Sequence, residues 1–89
     1  MGRKIGFVDD AYEEYEDWRD RDEQVFLKIK GLIKECSRTP TKGTGKPEPL
    51  RGSLKGLYSR RINQEHRLVY SFTNDELEIL SCYGHYGDK

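Results

Sequence analysis

Seven side chains in the second half of this 89-residue sequence carry the chemistry needed to cut a phosphodiester. Lys46, Glu48 and Arg51 lie in one glycine- and proline-rich stretch, Arg61 and Arg67 in the apolar runs that follow, and His85-Tyr86 near the C-terminal end. Cleaving RNA without a metal uses the ribose 2′-hydroxyl as nucleophile. It requires a base for that proton, cations for the charged phosphorane, and an acid for the leaving 5′-oxygen. Glutamate or histidine can serve as base, arginine as clamp, and histidine or tyrosine as acid. Arginine suits the clamp better than lysine because its planar fork meets two phosphate oxygens at once. Each residue also has a plainer reading. Arg60 and Arg61 fit solvated edge-strand charges that deter aggregation. Glu48 fits a loop ion pair with Lys46, His85 an exposed tail residue, and Tyr86 a cap on the core.

These residues need a scaffold, and the sequence supplies its elements in order. Ile5, Phe7 and Val8 indicate a first strand ending at Asp9-Asp10. Asp10 followed by Glu13 has the spacing of a capping box, and Ala11, Tyr15 and Trp18 recur at near-helical spacing in a first helix. Asp20 and Asp22 resemble a metal-ligand pair but fit better as the opening of a second helix. There Val25, Phe26, Ile29, Leu32, Ile33 and Cys36 make the most regular helical stripe in the chain, which must end before Pro40. Residues 39–56 hold all three prolines and four of the nine glycines, so this stretch reads as one long loop. A loop of that length in so small a domain is typically functional or disordered, and its positive charge favours function.

After Gly56 the period changes to that of strands. LYSRRI, HRLVYSF and the run at Leu77–Leu80, the last two separated by Thr73-Asn74-Asp75, predict a three-stranded antiparallel meander. In its middle strand Leu68, Tyr70 and Phe72 share one face, and Arg67, Val69 and Ser71 the other. The expected architecture is α+β, β-α-α-β-β-β, with two N-terminal helices packed on one face of an antiparallel sheet. The opposite face, with Arg67 and Arg61, stays open. His66 reads as a structural histidine, and Trp18, Tyr12 and Tyr15 as core or rim.

Composition bounds the rest. One domain covers residues 1–89, and at 34% hydrophobic its core is thin. Eleven per cent aromatic residues separate it from disordered chains. No apolar run approaches the roughly 20 residues that span a bilayer, and no leader-like stretch begins the chain, which predicts a cytoplasmic protein without a membrane partner. Cys36 and Cys82 are too few for a disulfide framework and read as buried reduced thiols. The net charge of zero conceals a segregation: residues 1–24 balance at −5, residues 25–67 at +8, and residues 68–89 at −3. A basic middle between acidic ends suits a molecule that turns one face to phosphates. Lys28, Lys30 and Lys34 read as solvation of a helix face.

The stretch TPTKGTGKPEPLRGSLKGLYSRRINQEHRLVYSF resembles the central block of the YoeB/Txe toxins of the RelE superfamily. There GKPEPL, L-x-G-x-[WY]-S-R-R-I and EHRLVY recur in this order and spacing. The resemblance extends from the acidic-aromatic first helix to His85-Tyr86. It implies a small RelE-like α+β fold and the toxin half of a type II toxin–antitoxin pair, a ribosome-dependent mRNA endonuclease neutralised by a YefM/Axe-like antitoxin. It further implies Glu48 as general base, Arg67 as phosphate and transition-state clamp, His85 as general acid, and Tyr86 as the aromatic that orients the substrate. Arg61 and Glu65 match supporting positions, Lys46 a loop cation, and Arg51 a position where the family commonly has lysine. Neither a metal nor another cofactor is implied. The implied partners are the antitoxin, the ribosome and its mRNA, operator DNA only through the antitoxin complex, and a second copy of the chain. Two alternatives share the fold: a catalytically weak co-repressor, motivated by Tyr83-Gly84 where relatives more often carry a basic residue and an aromatic, and a gyrase poison. Glu48, Arg67 and His85 together argue against the latter.

Overall fold

A computed structural model describes residues 2–84 of the chain. Its elements run β1 (Lys4–Phe7), α1 (Ala11–Arg21), α2 (Glu23–Arg38), β2 (Glu48–Pro49), a short 3-10 turn (Gly52–Leu54), β3 (Tyr58–Arg61), β4 (Arg67–Phe72) and β5 (Glu76–Ser81). They form one sheet in the order β1-β5-β4-β3-β2. The meander is present as expected, each strand antiparallel to the next. The sheet is not wholly antiparallel, however, because β1 joins the far edge of β5 in parallel. Hairpin connections force neighbouring strands of a meander to alternate. β1 is separated from β5 by most of the chain and carries no such constraint.

The apolar stripe of α2 does what its periodicity predicts. Ile29, Leu32, Ile33 and Cys36 are buried against Leu68, Tyr70, Leu77 and Ile79 of the sheet, with Ala11 and Trp18 of α1 in the same core. Full burial of each leucine or isoleucine contributes about 1.5–3 kcal/mol, and among the described residues fourteen apolar ones at most 8% exposed make up the buried set. Asp22 opens α2, its carboxylate accepting from the backbone N–H groups of Gln24 and Val25 at 3.2 and 3.3 Å. The expected capping box at α1 is not formed: Asp10 occupies the N-cap position without a side-chain cap bond. Residues 39–56 are likewise not one irregular loop. Glu48–Pro49 adds a short edge strand antiparallel to β3, and Gly52–Leu54 turns the chain back. No helix among the described residues is long and apolar enough to cross a membrane.

Cys36 and Cys82 are free and fully buried. Burial disfavours the thiolates, pushing Cys36 up to about 11 and Cys82 up to about 12. In the unfolded chain both ionise near 9.0, so their contribution is intact below pH 9 and is lost as pH rises from there. We expect both thiols to resist alkylation at pH 8 until the chain is unfolded in urea. The urea midpoint should fall between pH 9 and 11, and less so in Cys36→Ala.

Candidate functional site

β3 and β4 set the site by simple alternation. Glu48 pairs with Ser59, Ser59 with Val69, and Arg61 with Arg67. Cross-strand partners, and every second residue along a strand, share a face. Glu48, Arg61 and Arg67 therefore occupy the face away from the helices, while Tyr58, Leu68 and Tyr70 face the core. Glu48 is the diagonal neighbour of Arg61, about 7–8 Å between Cα atoms by ordinary sheet geometry. This face is less bare than alternation suggests: Val69 is 2% exposed, and Leu50, two residues beyond Glu48, is 8% exposed, both apart from the main core.

Like charges directly opposite one another on a sheet repel, so the Arg61–Arg67 pair forms a place where an anion is favoured. At its end of the sheet a cleft of about 590 Å³ opens between α2, the loop after it and the β3–β4 connection. Lys28, Arg61 and Arg67 line it beside Thr44, Gly45, Ile62, Asn63 and Gln64, and no carboxylate among the described residues does. Half-buried Arg67 is anchored through Nη1, which donates to the carbonyls of Asn63 at 2.8 Å and His66 at 3.2 Å. Lys28, exposed on α2 as a solvating lysine would be, also lines this cleft. Nothing in its helical position marks it, because the cleft is made by the packing of α2 against the β3–β4 connection.

The remaining candidates divide. Lys46 is exposed and holds a left-handed φ of 52° just beyond Gly45, whose carbonyl accepts from the Arg61 N–H at 2.7 Å. Arg51 is exposed at the start of the 3-10 turn. Glu65 is exposed on the β3–β4 connection, its carboxylate 3.7 Å from His66 Nε2. None of these three lines the cleft. The ion pair read between Glu48 and Lys46 is absent among the described residues. His85 and Tyr86 lie outside the described residues.

Arg60 overturns the reading of an edge-strand charge. It lies on the core face of β3 and is 0% exposed. Its Nε donates to the Tyr70 hydroxyl at 3.2 Å, Nη1 to the Thr44 carbonyl at 3.1 Å, and Nη2 to the carbonyls of Thr39 at 2.5 Å and Lys42 at 2.8 Å. Glu35 Oε1 lies 3.4 Å from Nη1, and Glu35 Oε2 accepts from the Thr44 N–H. Tyr70 in turn donates to the Pro40 carbonyl. Burial raises the Tyr70 phenol above its ordinary range, against the guanidinium, which favours ionisation. The loop can wrap Arg60 only through glycine: a Cβ on Gly43, at φ +119°, would stand 2.0 Å from Glu35 Oε2, and one on Gly45 2.9 Å from the Arg61 carbonyl. The signal was present in the sequence, since Arg60 has the same parity as core-facing Tyr58 and Ile62.

Sheet order and helical layer give a small α+β fold shared with the toxin-antitoxin complex RelBE2 from Mycobacterium tuberculosis, at 19% identity and a TM-score of 0.74. Comparison with known proteins narrows this. Residues 7–86 match the model of the YoeB-like toxins of bacterial type II toxin-antitoxin systems. Toxin YoeB of Escherichia coli strain K12 is 46% identical over 83 residues, 93% of this chain and 99% of that one. The YoeB dimer from Staphylococcus aureus superimposes with a TM-score of 0.88 at 41% identity, and the YoeB-YefM complex from the same organism with 0.85 at 40%; each match covers 97% of this chain and 100% of the other. The chain belongs to the YoeB-like toxin family.

The Arg60 network predicts a large cost of breaking it. Arg60→Met strands the acceptors of Thr39, Lys42, Thr44 and Tyr70 and leaves Glu35 without its cation, so urea unfolding should show a loss of about 3–5 kcal/mol. Tyr70→Phe, which removes one donor and one acceptor, should cost about 1–2 kcal/mol in the same assay.

Proposed function

We propose that this toxin cuts mRNA in the ribosomal A site through 2′-hydroxyl attack. The convergence of Lys28, Arg61 and Arg67 on one cleft, with Arg61 and Arg67 also on the sheet face that presents Glu48 outside the cleft, is the observation that carries the reading. In the proposed step Glu48 accepts the 2′-hydroxyl proton as that oxygen attacks the adjacent phosphorus. The bond from phosphorus to the 5′-oxygen breaks, and His85 protonates the departing oxygen. The product is a 2′,3′-cyclic phosphate, or a 3′-phosphate after water opens it. Arg67, steadied through Nη1, turns its remaining guanidinium donors to the phosphorane. Arg61 and Lys28 hold flanking phosphates, Lys46 and Arg51 extend the cationic rim, and Glu65 supports the β3–β4 connection that anchors Arg67. Tyr86 orients the substrate. The scheme invokes no metal or cofactor.

The ribosome supplies most of the substrate positioning in this scheme. That matches a modest local charge of +8 and a weak carboxylate base, since geometry provides the larger share of the acceleration. The partners proposed with it are a YefM-like antitoxin, by likeness to the YoeB-YefM complex, and a second copy, by likeness to the YoeB dimer. Operator DNA is met only through the antitoxin complex, and the site of action is the cytoplasm.

Purified toxin added to programmed ribosomes, with the message mapped by primer extension, tests the reading. The parent chain should cut within the A-site codon. Arg67→Ala and Glu48→Gln should each lose about 100-fold or more in single-turnover rate, and His85→Ala a similar amount. Intact message with the parent chain, or equal cutting by all variants, would overturn it. Arrest of growth with intact message would turn attention to gyrase.

A further inference from the structure

Residues 82–84, which lead directly into His85, are held by side chains that the cleft does not use. The Trp18 indole N–H donates to the Cys82 carbonyl at 2.9 Å, and the Glu14 carboxylate accepts from the Cys82 N–H at 2.9 Å. One residue further on, the Gly84 N–H donates to Nδ1 of His66 at 2.9 Å, while the Gly84 carbonyl accepts from the Arg67 N–H at 2.9 Å. Gly84 is thus gripped at both backbone groups by two consecutive residues, His66 and Arg67. The His66 ring is itself locked, 7% exposed, edge-on to Trp18 at 4.9 Å and tilted against Tyr83 at 4.6 Å.

We propose that His66 is a positioning residue for the cleavage reaction: its Nδ1 holds Gly84, and so fixes the chain leading to His85 in register with Arg67. This rests on the nuclease reading of the same site. In the sequence the clamp opens β4 and the acid follows β5, and Gly84 is where the two segments are joined. A displacement of about 1 Å between such groups can cost 100-fold in rate, which gives a single buried hydrogen bond its leverage.

Accepting at Nδ1 places the proton of the imidazole on Nε2, with the Glu65 carboxylate 3.7 Å from that nitrogen.

The test uses the full-length, isotope-labelled toxin. In the parent chain the Gly84 amide should show a scalar coupling to His66 Nδ1 across the hydrogen bond, a measurement that needs no variant. An amide with no such coupling would overturn the proposal. His66→Phe keeps the ring packing and removes the acceptor, whereas His66→Asn places an amide oxygen near the Nδ1 position. Hydrogen exchange at Gly84 should speed up about tenfold or more in His66→Phe and return toward the parent rate in His66→Asn. In ribosome cleavage kcat should fall about tenfold or more in His66→Phe, with KM within about twofold, and His66→Asn should recover most of it. A freed Gly84 with unchanged kcat would overturn the positioning role. A parent chain that leaves mRNA intact would instead sink the nuclease reading, and the exchange and coupling arms would still decide the clasp.

Discussion

One fully buried guanidinium organises the molecule. Arg60 reaches from the core face of β3 to three carbonyls of the segment after α2, to the Tyr70 hydroxyl and to Glu35. A charge removed from water is costly unless it is paired and hydrogen-bonded, and here three of its partners are carbonyls of the segment that follows α2. That segment is thereby tied around the arginine. Glycines at 43 and 45 make that path sterically possible. The strand pairing of Glu48 with Ser59 then follows a few residues later.

This arrangement divides β3 between two tasks. On one side Tyr58, Arg60 and Ile62 join the helices and the core; on the other Ser59 and Arg61 look outward. Arg60 and Arg61 are adjacent and chemically identical, yet one is a structural centre and the other lines the cationic cleft. The strand's two-residue period alone separates them. A one-residue slip would exchange their roles, so the buried network also pins the register on which the functional face depends.

Much of this was legible in the sequence. The stripe from Val25 to Cys36 became α2, the turn at Thr73-Asn74-Asp75 joined two strands, and the alternation in HRLVYSF put Arg67 opposite the core-facing Leu68 and Tyr70. Short-range patterns of this kind encode their own outcome, because spacing decides which side chains share a face. Other features were hidden. The parallel pairing of β1 with β5 joins residues more than seventy positions apart, and Asp10 left its capping box unmade. Lys28 enters the cleft through the placement of a whole helix. His66, read as structural, proved to hold the residue before His85.

By itself the sequence determined the two helices, every strand except β2, the two faces of the meander and the family, since each depends on residue type at fixed local spacing. Only the tertiary structure decided what each charge does. Whether an arginine is solvated, buried or poised at a cleft depends on what the rest of the chain brings within about 3 Å of its nitrogens. For Arg60 and His66 those neighbours come from distant segments, and no local pattern could name them.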